Sequence, residues 1–130
     1  CGEAVVFPHG APAHFMTMVK QQGALLAKGR LLGIQFDVLF TDDLYFSISK
    51  NAIATANRLK AGFAEKGYRF FMDSPTNQIF LVLSHAQIER LRRDFAFEIT
   101  GHVDDEHEAG RFVCSWATKE EAVDALIAAL

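Results

Sequence analysis

The stretch that decides the fold is Gln21–Phe40, QQGALLAKGRLLGIQFDVLF. Two cations, Lys28 and Arg30, interrupt a run that is otherwise almost wholly apolar. Leu25, Leu26, Leu31, Leu32, Ile34, Phe36, Val38, Leu39 and Phe40 crowd both sides of them. A helix that is apolar nearly all round is buried in a larger body or against a partner. The run therefore predicts a buried helix from about residue 24 to residue 40. Lys and Arg are seldom fully buried unless paired. The basic pair must then reach water through its long stems, or meet an anion such as a phosphate or a carboxylate. Both readings stand on pattern alone.

Upstream, Phe15, Met18 and Val19 fall at helical spacing between residues 13 and 22. Pro12 suits the first turn of that helix and Gly23 ends it. Before it, Glu3–Phe7 (EAVVF) reads as a continuous apolar strand of the buried, parallel kind. One strand is not a sheet, and no Met precedes it, so the chain is expected to be a fragment of something longer. A lipid-modified Cys1 is disfavoured, because a flexible tether would be expected after it.

Downstream, Thr41-Asp42-Asp43 is the expected helix start, with short acceptors for the free amides. Leu44, Ile48, Ala52, Ala56, Leu59 and Phe63 then form one stripe, and Gly67 supplies a left-handed C-cap. From residue 68 the period changes. Strands are predicted over 68–72 and 78–83, joined by the turn DSPTN. Ser84 to Gln87 is a capping box, with Ile88 and Leu91 inward. A strand over 95–100, a polar loop over 101–110 and a strand over 111–116 follow. A second capping box, Thr118 to Glu121, opens a helix with Val123, Leu126, Ile127 and Leu130 inward. The second half reads ββαββα, so the fold class is α/β (mixed α+β) with helices on one face of a small sheet.

Composition narrows the function. The chain has 130 residues, 50% hydrophobic, with a net charge of −3. That suits a packed core and gives no clustered basic face for nucleic acid. Lys28, Arg30, Gln35 and Asp37 break up the one stretch near membrane length. No secretory signal opens the chain. Its two cysteines, Cys1 and Cys114, read as reduced thiols rather than a disulfide, and the expected compartment is the cytoplasm.

Two further places carry chemistry. His102 to Glu108 (HVDDEHE) is dense in imidazoles and carboxylates that could hold a divalent ion. Its spacing matches no loop signature, and a solvated surface loop is the commoner use of such a composition, so no metal is assigned. Arg111 opens an apolar strand, where a guanidinium can grip a carboxylate with two parallel hydrogen bonds or serve as an ordinary edge arginine. No residue set suggests a nucleophile triad, and AKGR lacks phosphate-loop spacing.

Read in order, GEAVVF, KQQGALLAKGRLLGIQF, ANRL, TNQIFLVL and RFVCSWATKEEAVDAL resemble the C-terminal part of the low-specificity threonine aldolases and the related aromatic amino acid beta-eliminating lyases. The resemblance covers essentially the whole chain. It implies a pyridoxal-phosphate enzyme of the aspartate-aminotransferase fold type, a homo-oligomer acting on amino acids. It implies three parts: residues 1–42 as the tail of the large cofactor domain, 43–66 as a connecting helix, and 67–130 as a small C-terminal domain. Arg30, with Lys28 as a weaker companion, would hold the cofactor phosphate, and Arg111 would bind the substrate carboxylate. Where many aldolases have a glycine-rich run before the arginine, this chain has GALLAKGR. The lysine that carries the cofactor as a Schiff base would lie a few residues before Gly2, outside this chain, which would be inactive alone and supplies no catalytic residue of its own. A different pyridoxal-phosphate reaction, such as aminotransfer, would keep Arg111. A rival from another class is a free-standing regulatory module that binds a small molecule or dimerises.

Overall fold

The computed structural model describes residues 4–130, which form two compact units, residues 4–45 and Phe46–Leu130. The fold is mixed α/β, with one four-stranded antiparallel sheet and helices. The first unit holds α1 (Phe15–Gln21) and α2 (Arg30–Phe40), then a short 3-10 turn, Thr41–Asp43. Phe7 packs its ring edge-on against Phe15, with centroids 4.9 Å apart. The predicted strand over 3–7 does not form: residues 4–7 have no regular structure, and Glu3 lies outside the described residues. No neighbouring strand is present among the described residues to complete a ladder with it.

The decisive stretch is shorter and more open than expected. The helix begins at Arg30 and not near residue 24, because residues 27–29 form a turn. Neither α1 nor α2 has a buried residue, and Leu31 is 69% exposed. The helix start expected at Thr41 also takes another form. The Thr41 hydroxyl donates back to the Asp37 carbonyl, and Asp42 and Asp43 both stand at positive φ. Aspartate is among the residues that tolerate this region.

The second unit has its own core. Helix α3 (Leu44–Glu65) runs into it; of the predicted stripe Ala52, Ala56, Leu59 and Phe63 are buried, whereas Ile48 is half-buried and Leu44 is exposed. Gly62 is buried where α3 meets α5: a Cβ there would stand 2.6 Å from Ile127 Cγ1. After Gly67, at φ 76°, come β1 (Phe70–Met72), β2 (Gln78–Ser84), α4 (His85–Leu91), β3 (Glu98–Asp104), β4 (His107–Val113) and α5 (Glu120–Ala129). This is the ββαββα order read from the sequence. The sheet order is β1-β2-β4-β3, so β4 is flanked on both sides. Ile79, Leu81, Leu83 and Phe112 point to the helical side and join Phe63, Leu91, Val123 and Leu126 in one cluster.

Two predicted boundaries move. The loop over 101–110 is a β-hairpin of β3 and β4. Its dense charge hides the alternation, and register irregularities at Ile99/Gly101 and His102/Asp104 break the period of two. The first capping box forms as read: Ser84 Oγ accepts from Gln87 N–H, and Gln87 Oε1 accepts from Ser84 N–H. The second does not. The N-cap of α5 is Lys119, and the Thr118 hydroxyl oxygen accepts from the Ser115 amide at 2.7 Å.

Side chains of α3 pin the loops of the second unit. The Asn51 side-chain amide donates to the carbonyls of Ser115, Trp116 and Thr118 at 3.0–3.2 Å. Lys60 Nζ donates to the carbonyls of Ser74 and Thr76 in the β1–β2 turn. Arg58 pairs with Glu120 at 3.3 Å and Asp124 at 2.5 Å on α5. Removing the Asn51 donor loses bonds to carbonyls of a largely exposed loop, at roughly 0.5–1.5 kcal/mol. Asn51→Leu should therefore lower the chemical-denaturation midpoint by that amount of stability. A midpoint unchanged within error would show that water replaces the bonds.

Candidate functional site

Arg111 lies inside β4 and not at a strand mouth, correcting its expected position. Its direct neighbours are Phe80 on β2 and Glu98 on β3. Residues paired directly across strands share a face. Arg111, Phe80, Glu98 and Gln78 therefore stand together on the side of the sheet opposite Ile79, Leu81 and Phe112. The guanidinium is held there by two acceptors. Its Nη2 pairs with Glu98 Oε2, and its Nη1 donates to Gln78 Oε1 at 3.3 Å. Its Nε is buried without a hydrogen-bond partner. A buried donor left unpaired is uncommon. Because it is enclosed, a planar acceptor such as a carboxylate would meet the terminal nitrogens, Nη1 and Nη2.

Lys28 and Arg30 form the second basic group, in the first unit. Arg30 is the first residue of α2, after the N-cap Gly29. Neither has an ion-pair partner among the described residues. They are exposed, not buried as a pair. With Ala27, Gly29, Leu31 and Ile34 they line a hollow of about 350 Å³. The first turn of α2 holds no acidic residue. A cation at the positive end of a helix is unfavourable by about 0.3–1 kcal/mol, and an anion placed there relieves it. The carbonyls of Lys28 and Gly29 already accept from the amides of Leu31, Leu32 and Gly33. An anion in the hollow would thus rest mainly on the two side chains. The two positive charges suit an anion such as a phosphate group.

The acidic and imidazole-rich segment is divided along the hairpin. His107 Nδ1 lies 2.7 Å from Asp104 Oδ1, and His102 Nδ1 lies 3.6 Å from Glu108 Oε1. The His107 hydrogen bond, with the Glu106 amide, holds the Asp104 carboxyl below its ordinary range. Among the described residues no group of three or more His, Cys, Asp or Glu is placed to hold a metal. Cys114 is free and buried, and burial pushes its thiol up, away from the thiolate a nucleophile needs. Cys1 lies outside the described residues. No helix among them is long and apolar enough to cross a membrane.

Sequence reading missed Gln78 and Glu98. Gln78 stands in the TNQIFLVL stretch without a role read for it, and Glu98 sits in no motif. What places them is the register that sets Glu98 opposite Arg111, and Gln78 two residues from Phe80 on β2.

The mixed α/β architecture, a four-stranded antiparallel sheet with helices, resembles the C-terminal part of a threonine aldolase. The comparison that carries this is with the solved structure of the Leishmania major threonine aldolase. Identity is 36% and the TM-score is 0.79, over 90% of this chain and 34% of that one. The chain thus spans about a third of the length of the aldolase it matches. No family model matches the chain, and no curated protein does.

Proposed function

We propose that this chain is the C-terminal segment of a pyridoxal-phosphate lyase that cleaves a β-hydroxy-α-amino acid such as threonine to glycine and an aldehyde. The observation that carries the reading is the 36% identity to the aldolase across 90% of the chain. Residues 1–42 belong to the tail of the large domain, 43–66 to the connecting helix and 67–130 to the small domain. Arg30, with Lys28, holds the cofactor phosphate by charge and hydrogen bonds. Bound pyridoxal phosphate supplies an electron-withdrawing ring for breaking the Cα–Cβ bond. Arg111 fixes the substrate carboxylate, which orients the bond to be broken and removes rotational freedom before reaction. Gln78 keeps the guanidinium turned toward it. The assembled enzyme is a cytoplasmic homo-oligomer, and this chain alone is inactive.

Borohydride reduction with pyridoxal phosphate tests the cofactor class on the protein expressed from its whole gene. Mass spectrometry should find a pyridoxyl-lysine in the peptide just before CGEAVVF, outside this chain. No adduct on any lysine would overturn the reading. Ligand screens against the ββαββα unit as a regulatory module would then follow.

A further inference from the structure

We infer that Glu98 is a resident counter-ion that occupies the Arg111 fork until a ligand carboxylate displaces it, and so sets how tightly that ligand binds. The inference rests on the proposed role of Arg111. Three observations carry it. Glu98 is the direct cross-strand neighbour of Arg111, so its carboxylate is delivered by the backbone register. It takes Nη2, one of the two terminal nitrogens a planar acceptor would use, while Gln78 holds Nη1. The two partners also differ in exposure: the Glu98 side chain is 66% exposed and the Arg111 side chain 32%.

That difference decides which partner moves. The guanidinium is fixed by the sheet and by Gln78, whereas the glutamate can turn into water at little cost. Exposed ion pairs are worth little, and their closed form outweighs the open one only by a small factor. An incoming carboxylate binds the open form, so its apparent affinity falls by the fraction that is open. For a pair of ordinary surface strength the reduction is roughly two- to sixfold. Until then both terminal nitrogens stay paired, and the fork is closed to passing anions.

Glycine binding by calorimetry tests this on the whole-gene protein loaded with pyridoxal phosphate, alongside threonine kinetics. Glu98→Gln keeps the size and removes the charge. It should tighten glycine roughly two- to sixfold and lower KM by a similar factor, with kcat within about twofold of the parent. Glu98→Ala should shift both in the same direction, which guards against a misfolded variant. A glutamate that merely braced the arginine would give the opposite sign, with weaker glycine and a raised KM. That result, or no change in either variant, overturns the inference while Arg111-dependent binding survives. Glycine binding that Arg111→Ala leaves untouched overturns the role of Arg111 itself, and this inference with it.

Discussion

Replacing Phe63 by alanine should cost about 3–5 kcal/mol of stability, the range for removing a fully buried aromatic side chain. Phe63 is 0% exposed. Its ring centroid lies 5.4 Å from that of Tyr68 and 5.2 Å from that of Phe112. It therefore joins α3 to the sheet. The neighbours that would have to collapse into the gap are anchored elsewhere: Phe112 is in β4, one of the two inner strands, and stacks on Phe97 at 4.6 Å. The cavity should stay largely open, so the loss belongs at the upper end of the range. Thermal denaturation followed by circular dichroism should show a midpoint lower by on the order of 15 °C. A loss below about 1 kcal/mol would mean that the core repacks and that α3 is not its keystone.

On the proposed role of Arg111, the second large effect is expected there, in the protein expressed from its whole gene. A charge-assisted carboxylate fork is worth about 3 kcal/mol, so Arg111→Ala should lower kcat/KM for threonine about a hundredfold. Most of the change should appear in KM, because the carboxylate is bound in both ground and transition states. Arg111→Lys keeps the charge and loses the planar fork, and should recover about a tenth of the parent kcat/KM. Pyridoxal phosphate should load normally in both variants, as seen in the visible absorption of the bound cofactor. If both variants keep parental KM, the carboxylate site lies elsewhere.

Much of this was legible in the sequence. The stripe from Ala52 to Phe63 and the ββαββα order follow from periodicity, because burial in the second unit is internal to it. The Ser84 capping box is local chemistry and forms as read. The Thr118 box fails because Ser115, three residues back, takes the same hydroxyl. Hairpin residues 101–110 were hidden by charge and by bulges that break the alternation. Arg111 was visible as a candidate, but its partners were not: Glu98 and Gln78 meet it through strand register, which no local pattern encodes. The apolar stretch around Arg30 was correctly read as helical toward Phe40, yet its burial was inferred from composition. The single chain leaves those side chains in the open.

The pins on α3 also bear on the order in which the second unit is built. The Lys60 bond to the β1–β2 turn closes a loop of 14 residues, whereas the Asn51 bond to Thr118 closes one of 67. Chain entropy makes the longer closure costlier by about 1.4 kcal/mol. Helix α3 and the first hairpin can therefore find each other early, with few native neighbours in place. The Asn51 contacts become favourable after strand pairing has already drawn the distant loop near. One helix thus serves both as the template on which the unit starts and as the latch on which it finishes.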